Sequence, residues 1–236
     1  MNLDYLYESQ YNRETSVLNT AVIVLPEIFG ATDFVMSTAD RFASECNIPS
    51  FALDFFYQLT GEPNKFDYST DMQKGIELMQ KMRGEDFLVI FNSAIEEISK
   101  TYPDVQNIIV CGFCFGGRLA YLAGLNDSRV NKIISFYGAG ANQSNYIDGK
   151  SCIEALSSKR SGDTNLSVLS FYGGTDESIP IEDRHKTKSL FDATNINYQE
   201  VVCVEAGHAF FNNQRAQMYN RDASEHAWKT ILYFIN

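Results

Sequence analysis

The residues best placed to do chemistry in this chain begin with a cysteine, Cys114, in the stretch Gly112-Phe113-Cys114-Phe115-Gly116-Gly117. The apolar run before it, Asn107 to Cys111, reads as a buried strand, and Arg118 to Gly124 after it reads as a helix. A residue at so sharp a strand-to-helix turn sits in strained backbone, with its side chain exposed at the sheet edge. Small residues must flank it because strand and helix nearly touch there. A thiolate is reached near neutral pH far more easily than an alkoxide, so the chemistry would be nucleophilic attack by sulfur. The same spacing also serves plain tight packing between a strand and a helix, and the rest of the chain has to separate the two.

A thiol nucleophile needs a base, and the base needs an orienting group. Three histidines follow Cys114: His185, His208 and His226. His208, in Gly207-His208-Ala209-Phe210, stands just after the last apolar run, at the carboxyl end of the expected sheet, where sites gather in open α/β folds. His185 lies in a charged helical stretch and His226 in the terminal helix, and both read as structural or solvated. Asp176 stands in the turn after the preceding strand, in Gly173-Gly174-Thr175-Asp176. Its alternative use is to cap the helix beginning near Pro180. Glu177 is a second carboxylate beside it. The double glycine favours Asp176, because it lets this turn lie close to the site.

Glu27 follows the first core strand in Pro26-Glu27-Ile28-Phe29-Gly30, on the same edge of the sheet. It is either a group that hydrogen-bonds the resting thiol or an ordinary loop carboxylate. The backbone amides of Ile28 and Phe115 are the candidate oxyanion donors. Phe29, Tyr137 and Ser178 fall where a pocket would be lined, although aromatic residues at strand ends often belong to the core.

These residues need a scaffold, and the pattern supplies an α/β fold. Apolar runs at Thr20–Leu25, Pro49–Phe55, Asn107–Cys111, Lys132–Tyr137, Leu166–Tyr172 and Tyr198–Val204 alternate with helical segments. That alternation is the signature of a mostly parallel sheet with helices on both faces. Helices are expected at Phe34–Cys46, Phe87–Lys100 and Asp222–Ile235, and a polar loop at Gln58–Asp71. Gly138–Asn165 is the irregular region, with a short helical pattern at Cys152–Ser158. It reads either as part of a lid or as a surface insertion. The length, 236 residues, fits one domain over 1–236.

The net charge of −11 argues against nucleic acid or an anionic membrane surface as a partner. No window approaches a membrane span. Five cysteines, an odd number scattered along the chain, point to a reducing compartment. Cys111 and Cys203 are expected to be buried in core strands, Cys46 to lie near a helix end and Cys152 in a polar connection. The opening residues lack a basic region followed by an apolar run, so no signal peptide is expected and the location is read as cytoplasmic. No metal or cofactor is expected, and the chain is expected to act as a monomer.

Taken together, the Pro26–Gly30, Gly112–Gly117, Gly173–Asp176 and Gly207–Phe210 stretches resemble the dienelactone hydrolase family, in that family's order and over nearly the whole chain. The resemblance implies a single-domain α/β-hydrolase fold with a Cys114–Asp176–His208 triad. It implies a carboxymethylenebutenolidase-like activity on a small ester or lactone through an acyl-thioester. It also associates Glu27 with control of thiol ionisation. The chain departs from the family pattern at the substrate end. Asn212 stands where an arginine that holds the substrate carboxylate is expected, Arg215 follows one turn later, and Arg83 is the nearest arginine to the Asp67–Gln80 region. Asn212 and Arg215 are therefore the residues of this stretch expected to face substrate. The alternatives are a carboxylesterase or thioesterase acting on an unrelated small substrate, and a non-catalytic ligand-binding module.

Overall fold

The computed structural model describes residues 3–10, 19–144 and 146–236. The elements in chain order are β1 (Leu6–Glu8), β2 (Thr20–Leu25), α1 (Asp33–Cys46), β3 (Ser50–Leu53), α2 (Tyr57–Thr60), α3 (Met72–Lys81), α4 (Gly84–Thr101), β4 (Asn107–Phe113), α5 (Phe115–Ala123), β5 (Val130–Phe136), α6 (Cys152–Lys159), β6 (Ser167–Gly173), α7 (Ile181–Asp192), β7 (Asn197–Cys203) and α8 (Arg221–Ile235). The strands form one sheet in the order β1-β3-β2-β4-β5-β6-β7. Every neighbouring pair is parallel except β1 with β3, which is antiparallel.

Because side chains alternate across a strand, β2 sends Ala21, Ile23 and Leu25 into one core and Val22 and Val24 into the other. The first core is closed by α4, α5 and α6, through Phe87, Phe91, Leu119 and Leu156. The second is closed by α1 and α8, where Phe42 packs edge-on against Trp228 at 4.8 Å. Each large side chain removed from water here contributes roughly 1.5–3 kcal/mol before entropy is counted. Helix α5 is buried at every position, Arg118 included.

The expected strands are all present, with ends displaced by up to two residues. Three elements were not foreseen. Strand β1 is only 3 residues long and sits on the sheet edge. Helix α2 occupies part of what reads as a polar loop, and its short run buries no residue of its own. Helix α3 buries only Gly75 and so carries almost no apolar signal. That glycine lets α3 lie against the loop after β2, since a Cβ there would come within 2.4 Å of the Ile28 carbonyl oxygen. Cys111 and Cys203 are buried, but Cys152 is not in a polar connection: it begins α6, fully buried. Among the described residues, no helix is long and apolar enough to cross a membrane.

The irregular region Gly138–Asn165 folds against its neighbours, apart from Asn145, which lies outside the described residues. Ser151 and Glu154 form a reciprocal cap on α6. The Arg118 guanidinium stacks 3.8 Å from the Tyr146 ring centroid and donates to Gln143 Oε1 at 3.0 Å. Asn142 donates to the Asp183 carbonyl and to Thr187.

Candidate active site

All the candidate groups leave the carboxyl ends of parallel strands. Glu27 follows β2, Cys114 follows β4, Tyr137 follows β5, Asp176 follows β6 and His208 follows β7. Register brings the ends together: Leu25 pairs with Gly112, Phe113 with Phe136, and Gly173 with Cys203.

Cys114 has φ 53° and ψ −115°, the left-handed side of backbone space that a non-glycine residue rarely enters. Its amide donates to the Phe136 carbonyl at 3.0 Å, and its own carbonyl accepts the Arg118 amide at 3.0 Å. The flanking glycines are required by close approach. A Cβ on Gly112 would lie 2.1 Å from the Gly116 oxygen, and one on Gly116 would lie 2.3 Å from the Pro26 oxygen. The turn therefore holds the thiol out at the sheet edge while α5 presses against β2 and β4.

His208 Nδ1 lies 2.8 Å from Asp176 Oδ2. The other oxygen, Oδ1, accepts the Ser178 amide at 2.9 Å, so this aspartate is oriented by two contacts. The double glycine makes the meeting possible, because a Cβ on Gly173 or Gly174 would strike the Gly207 or Val204 carbonyl oxygen within 2.5 Å. Backbone bonds from Gly174 to Cys203 and from Thr175 to Ala206 then tie the two loops together.

The side chain of Asp176 is 1% exposed and that of His208 is 18% exposed. Burial disfavours the charged imidazole, but hydrogen bonds to Asp176 and Cys114, with their charges, outweigh it and raise His208 to about 10. Burial also acts against an ionised Asp176, yet the contacts from His208 and Ser178 hold it below the usual carboxylate range. His185 and His226 are exposed on α7 and α8, and Glu177 is exposed.

Glu27 is not an ordinary loop carboxylate, being only 2% exposed. Burial pushes its pKa up, opposed by the Arg215 charge, the Asn212 hydrogen bond and the His208 charge. Asn212 is wholly buried; its Nδ2 donates to Glu27 Oε2 at 2.8 Å and to the Tyr68 hydroxyl at 3.1 Å. Its Oδ1 accepts the Gln214 amide, so its polar atoms are already engaged behind the site. Arg215 does reach inward: Nη1 is 3.7 Å from Glu27 Oε1, and the guanidinium lies over the rings of Phe29 and Tyr68. Arg83 does not; its side chain is 75% exposed, with Glu85 as its ion-pair partner.

Phe29 and Tyr137 are buried, and Ser178 is exposed at the rim. Tyr68 is the residue that sequence reasoning missed. It sits in the polar stretch before α3, contacts Thr32, Asn212 and the Phe29 ring, and carries no periodic signal that would single it out. No backbone hydrogen bond of the described residues uses the amide of Ile28 or Phe115. Among the described residues, no cluster of three or more histidine, cysteine or carboxylate side chains could hold a metal ion.

Residues 9–236 match the model of the dienelactone hydrolase family. The chain belongs to that family. This dienelactone hydrolase family member is thus a hydrolase of α/β fold. It is 27% identical over 211 residues to a candidate carboxymethylenebutenolidase of Escherichia coli O157:H7, covering 89% of this chain and 74% of that one. A similar candidate from Synechocystis is 27% identical over 215 residues, covering 89% and 82%. Among solved structures, a candidate dienelactone hydrolase from Klebsiella pneumoniae superposes with a TM-score of 0.81 at 24% identity, covering 97% of this chain and 90% of that one. The dienelactone hydrolase-like promiscuous phosphotriesterase P91 from metagenomic libraries superposes at 0.69 and 17% identity, covering 98% and 97%.

Proposed function

We propose that this family member hydrolyses a small carboxylic ester or lactone through a Cys114–His208–Asp176 triad and an acyl-cysteine intermediate. The observation that carries the reading is the 2.8 Å contact of His208 Nδ1 with Asp176 Oδ2, on an imidazole that Cys114 also acts on. In the first half-reaction the sulfur of Cys114, its proton held by the His208 imidazole, attacks the carbonyl carbon. Asp176 fixes the ring tautomer and stabilises the imidazolium. The oxygen that gains charge is met by the free amides of Ile28 and Phe115. As the intermediate collapses, His208 returns the proton to the departing alkoxide or enolate. In the second half-reaction His208 takes a proton from water, hydroxide equivalent adds to the thioester, and the thiol is regenerated with release of the acid.

Glu27 stands near this centre as an acid that burial pushes towards its neutral form, opposed by the Arg215 charge and the Asn212 hydrogen bond. In a lactone, the leaving oxygen stays tethered to the acyl group, so one ring opens and one product leaves. Phe29, Tyr137 and Ser178 are proposed to line the acyl pocket, with Arg215 at its edge and Asn212 behind Glu27. The proposed enzyme acts as a monomer in the cytoplasm and needs no cofactor.

A panel of lactones, aryl esters and thioesters would test the reading, combined with intact-mass detection of an acyl adduct after rapid acid quench. Turnover of at least one class, with the adduct mapped to Cys114, is the expected result. No turnover across the panel and no adduct would leave a ligand-binding module as the better account.

A further inference from the structure

Two buried polar atoms near His208 have no hydrogen-bond partner among the described residues: the Tyr137 hydroxyl and Glu27 Oε1. Buried polar groups are almost always paired, and an unpaired one at a reacting centre calls for an explanation. Tyr137 is also backbone-strained, with φ 38° on a bulky aromatic residue. The strain is held by two short bonds, Tyr137 N–H to the Phe171 carbonyl and Ala139 N–H to the Tyr137 carbonyl, both 2.8 Å. Strain so firmly held tends to mark functional positions.

Packing fixes where the ring sits. Its centroid is 5.1 Å from that of His208 and 5.5 Å from that of Phe210, and the side chain is wholly buried. The phenol stays protonated throughout the working range: burial raises it first, the charges of Glu27 and Cys114 add to that, and Arg215 opposes. It is therefore a permanent donor near the thiol. That donor is not spent on Glu27, since no hydrogen bond joins the two groups.

We propose that the Tyr137 hydroxyl donates a hydrogen bond to the sulfur of Cys114 once the thiol proton has passed to His208. This rests on the triad reading above. No proton leaves the phenol: the Sγ–H bond breaks, its proton goes to the imidazole, and the sulfur lone pair accepts the existing O–H. The donor matters because Glu27 is a second ionisable acid acting on the same tyrosine and the same imidazole, and like charges disfavour one another at close range. The charged and titratable groups acting here are His208 and Tyr137, which both feel Cys114, Asp176 through His208, and Glu27 and Arg215, which both act on Tyr137.

The test is Tyr137→Phe, which removes one oxygen and leaves every named charge in place. Iodoacetamide alkylation is followed against pH, with mass mapping to Cys114, alongside steady-state kinetics and thermal unfolding. The expected result is that half-maximal alkylation moves up by about one pH unit, the effect of one charge-assisted hydrogen bond. kcat should fall about tenfold with KM little changed, and Tm should hold or rise, because an unpaired buried hydroxyl is lost. Superimposable alkylation profiles and unchanged kcat would overturn the proposal. So would a variant that unfolds or loses several degrees of Tm with its alkylation profile intact, since the hydroxyl would then be structural. Cys114→Ala run in parallel separates the two readings: if it keeps activity, the triad itself is wrong.

Discussion

Asp176 and His208 meet at 2.8 Å between Oδ2 and Nδ1 although 32 residues separate them in the chain. The contact joins the loops of two adjacent parallel strands, β6 and β7. It makes the imidazole's outer nitrogen the only one free to serve Cys114. Asp176→Asn should therefore lower kcat by roughly 10³–10⁴-fold, since an amide favours the wrong tautomer. Measuring kcat and KM for the variant decides the matter; a kcat within threefold of wild type would move the acid's role elsewhere.

The same contact makes stability depend on pH. The folded-state pKa of His208 lies above its unfolded value, raised to about 10, so its contribution is fully present below the unfolded value near 6.5 and disappears as pH rises towards 10. Asp176 is depressed, so its share is present above the ordinary carboxylate range and is lost on acidification through its lowered pKa. The Tm gap between wild type and Asp176→Asn should therefore be widest between about pH 4.5 and 6.5 and narrow steadily towards pH 10. Thermal melts across that range would show it. A gap that widens above pH 7 would contradict the assignment.

Cys114→Ala should abolish turnover, by on the order of 10⁴-fold or more, while the fold survives. Cys114→Gly should be equally inactive yet more stable than wild type by about 1 kcal/mol, because glycine tolerates the φ of 53° at this turn. Chemical denaturation of both variants separates catalysis from strain. Equal stability of the Gly and Ala variants would argue that the turn stores no strain.

Gly116→Ala should be among the most damaging single-methyl changes in the chain. Its Cβ would stand 2.3 Å from the Pro26 oxygen and 2.6 Å from the Leu25 oxygen, both backbone atoms that cannot swing away. The bond from the Gly116 amide to the Pro26 carbonyl would be lost with them. A destabilisation of about 2–4 kcal/mol is expected, together with loss of activity as Cys114 moves away from Ile28. Urea melts that superimpose on wild type would refute this.

Substrate charge is the remaining test. Arg215 is the arginine that reaches the site, but its guanidinium already faces Glu27 at 3.7 Å. A substrate carboxylate would have to share that charge with a buried glutamate. Matched neutral and anionic esters of one acyl size are therefore expected to differ by less than about tenfold in kcat/KM, below what an uncommitted charge-assisted pair supplies. A larger preference for the anionic ester that vanishes in Arg215→Ala would reverse the expectation. Arg83→Ala should leave the ratio unchanged, because that side chain is solvent-exposed.

Much of this was legible in the amino-acid order because the signals are local. Apolar runs mark the parallel strands, since a strand buried on both faces must be apolar throughout. Glycines mark the places where backbones nearly touch, so Gly112, Gly116, Gly173 and Gly174 disclose both critical turns before any coordinates are known. The chain order of Cys114, Asp176 and His208 follows from the order of the strands that carry them. Helices α2 and α3 escaped because they bury almost nothing, and periodicity is visible only where one face is dry.

Tertiary structure alone decided what surrounds those groups. Asn212 and Glu27 are 185 residues apart and hydrogen-bonded. Tyr68 enters from a polar loop, Arg215 turns inward and Arg83 outward, and the Tyr137 hydroxyl is buried without a partner among the described residues. Hydrogen bonds, desolvation and Coulomb interactions depend on distances in space, and residue spacing fixes those only within one helix or strand. The candidate groups could be named from the chain, but their charge states and neighbours exist only once the sheet edge assembles them.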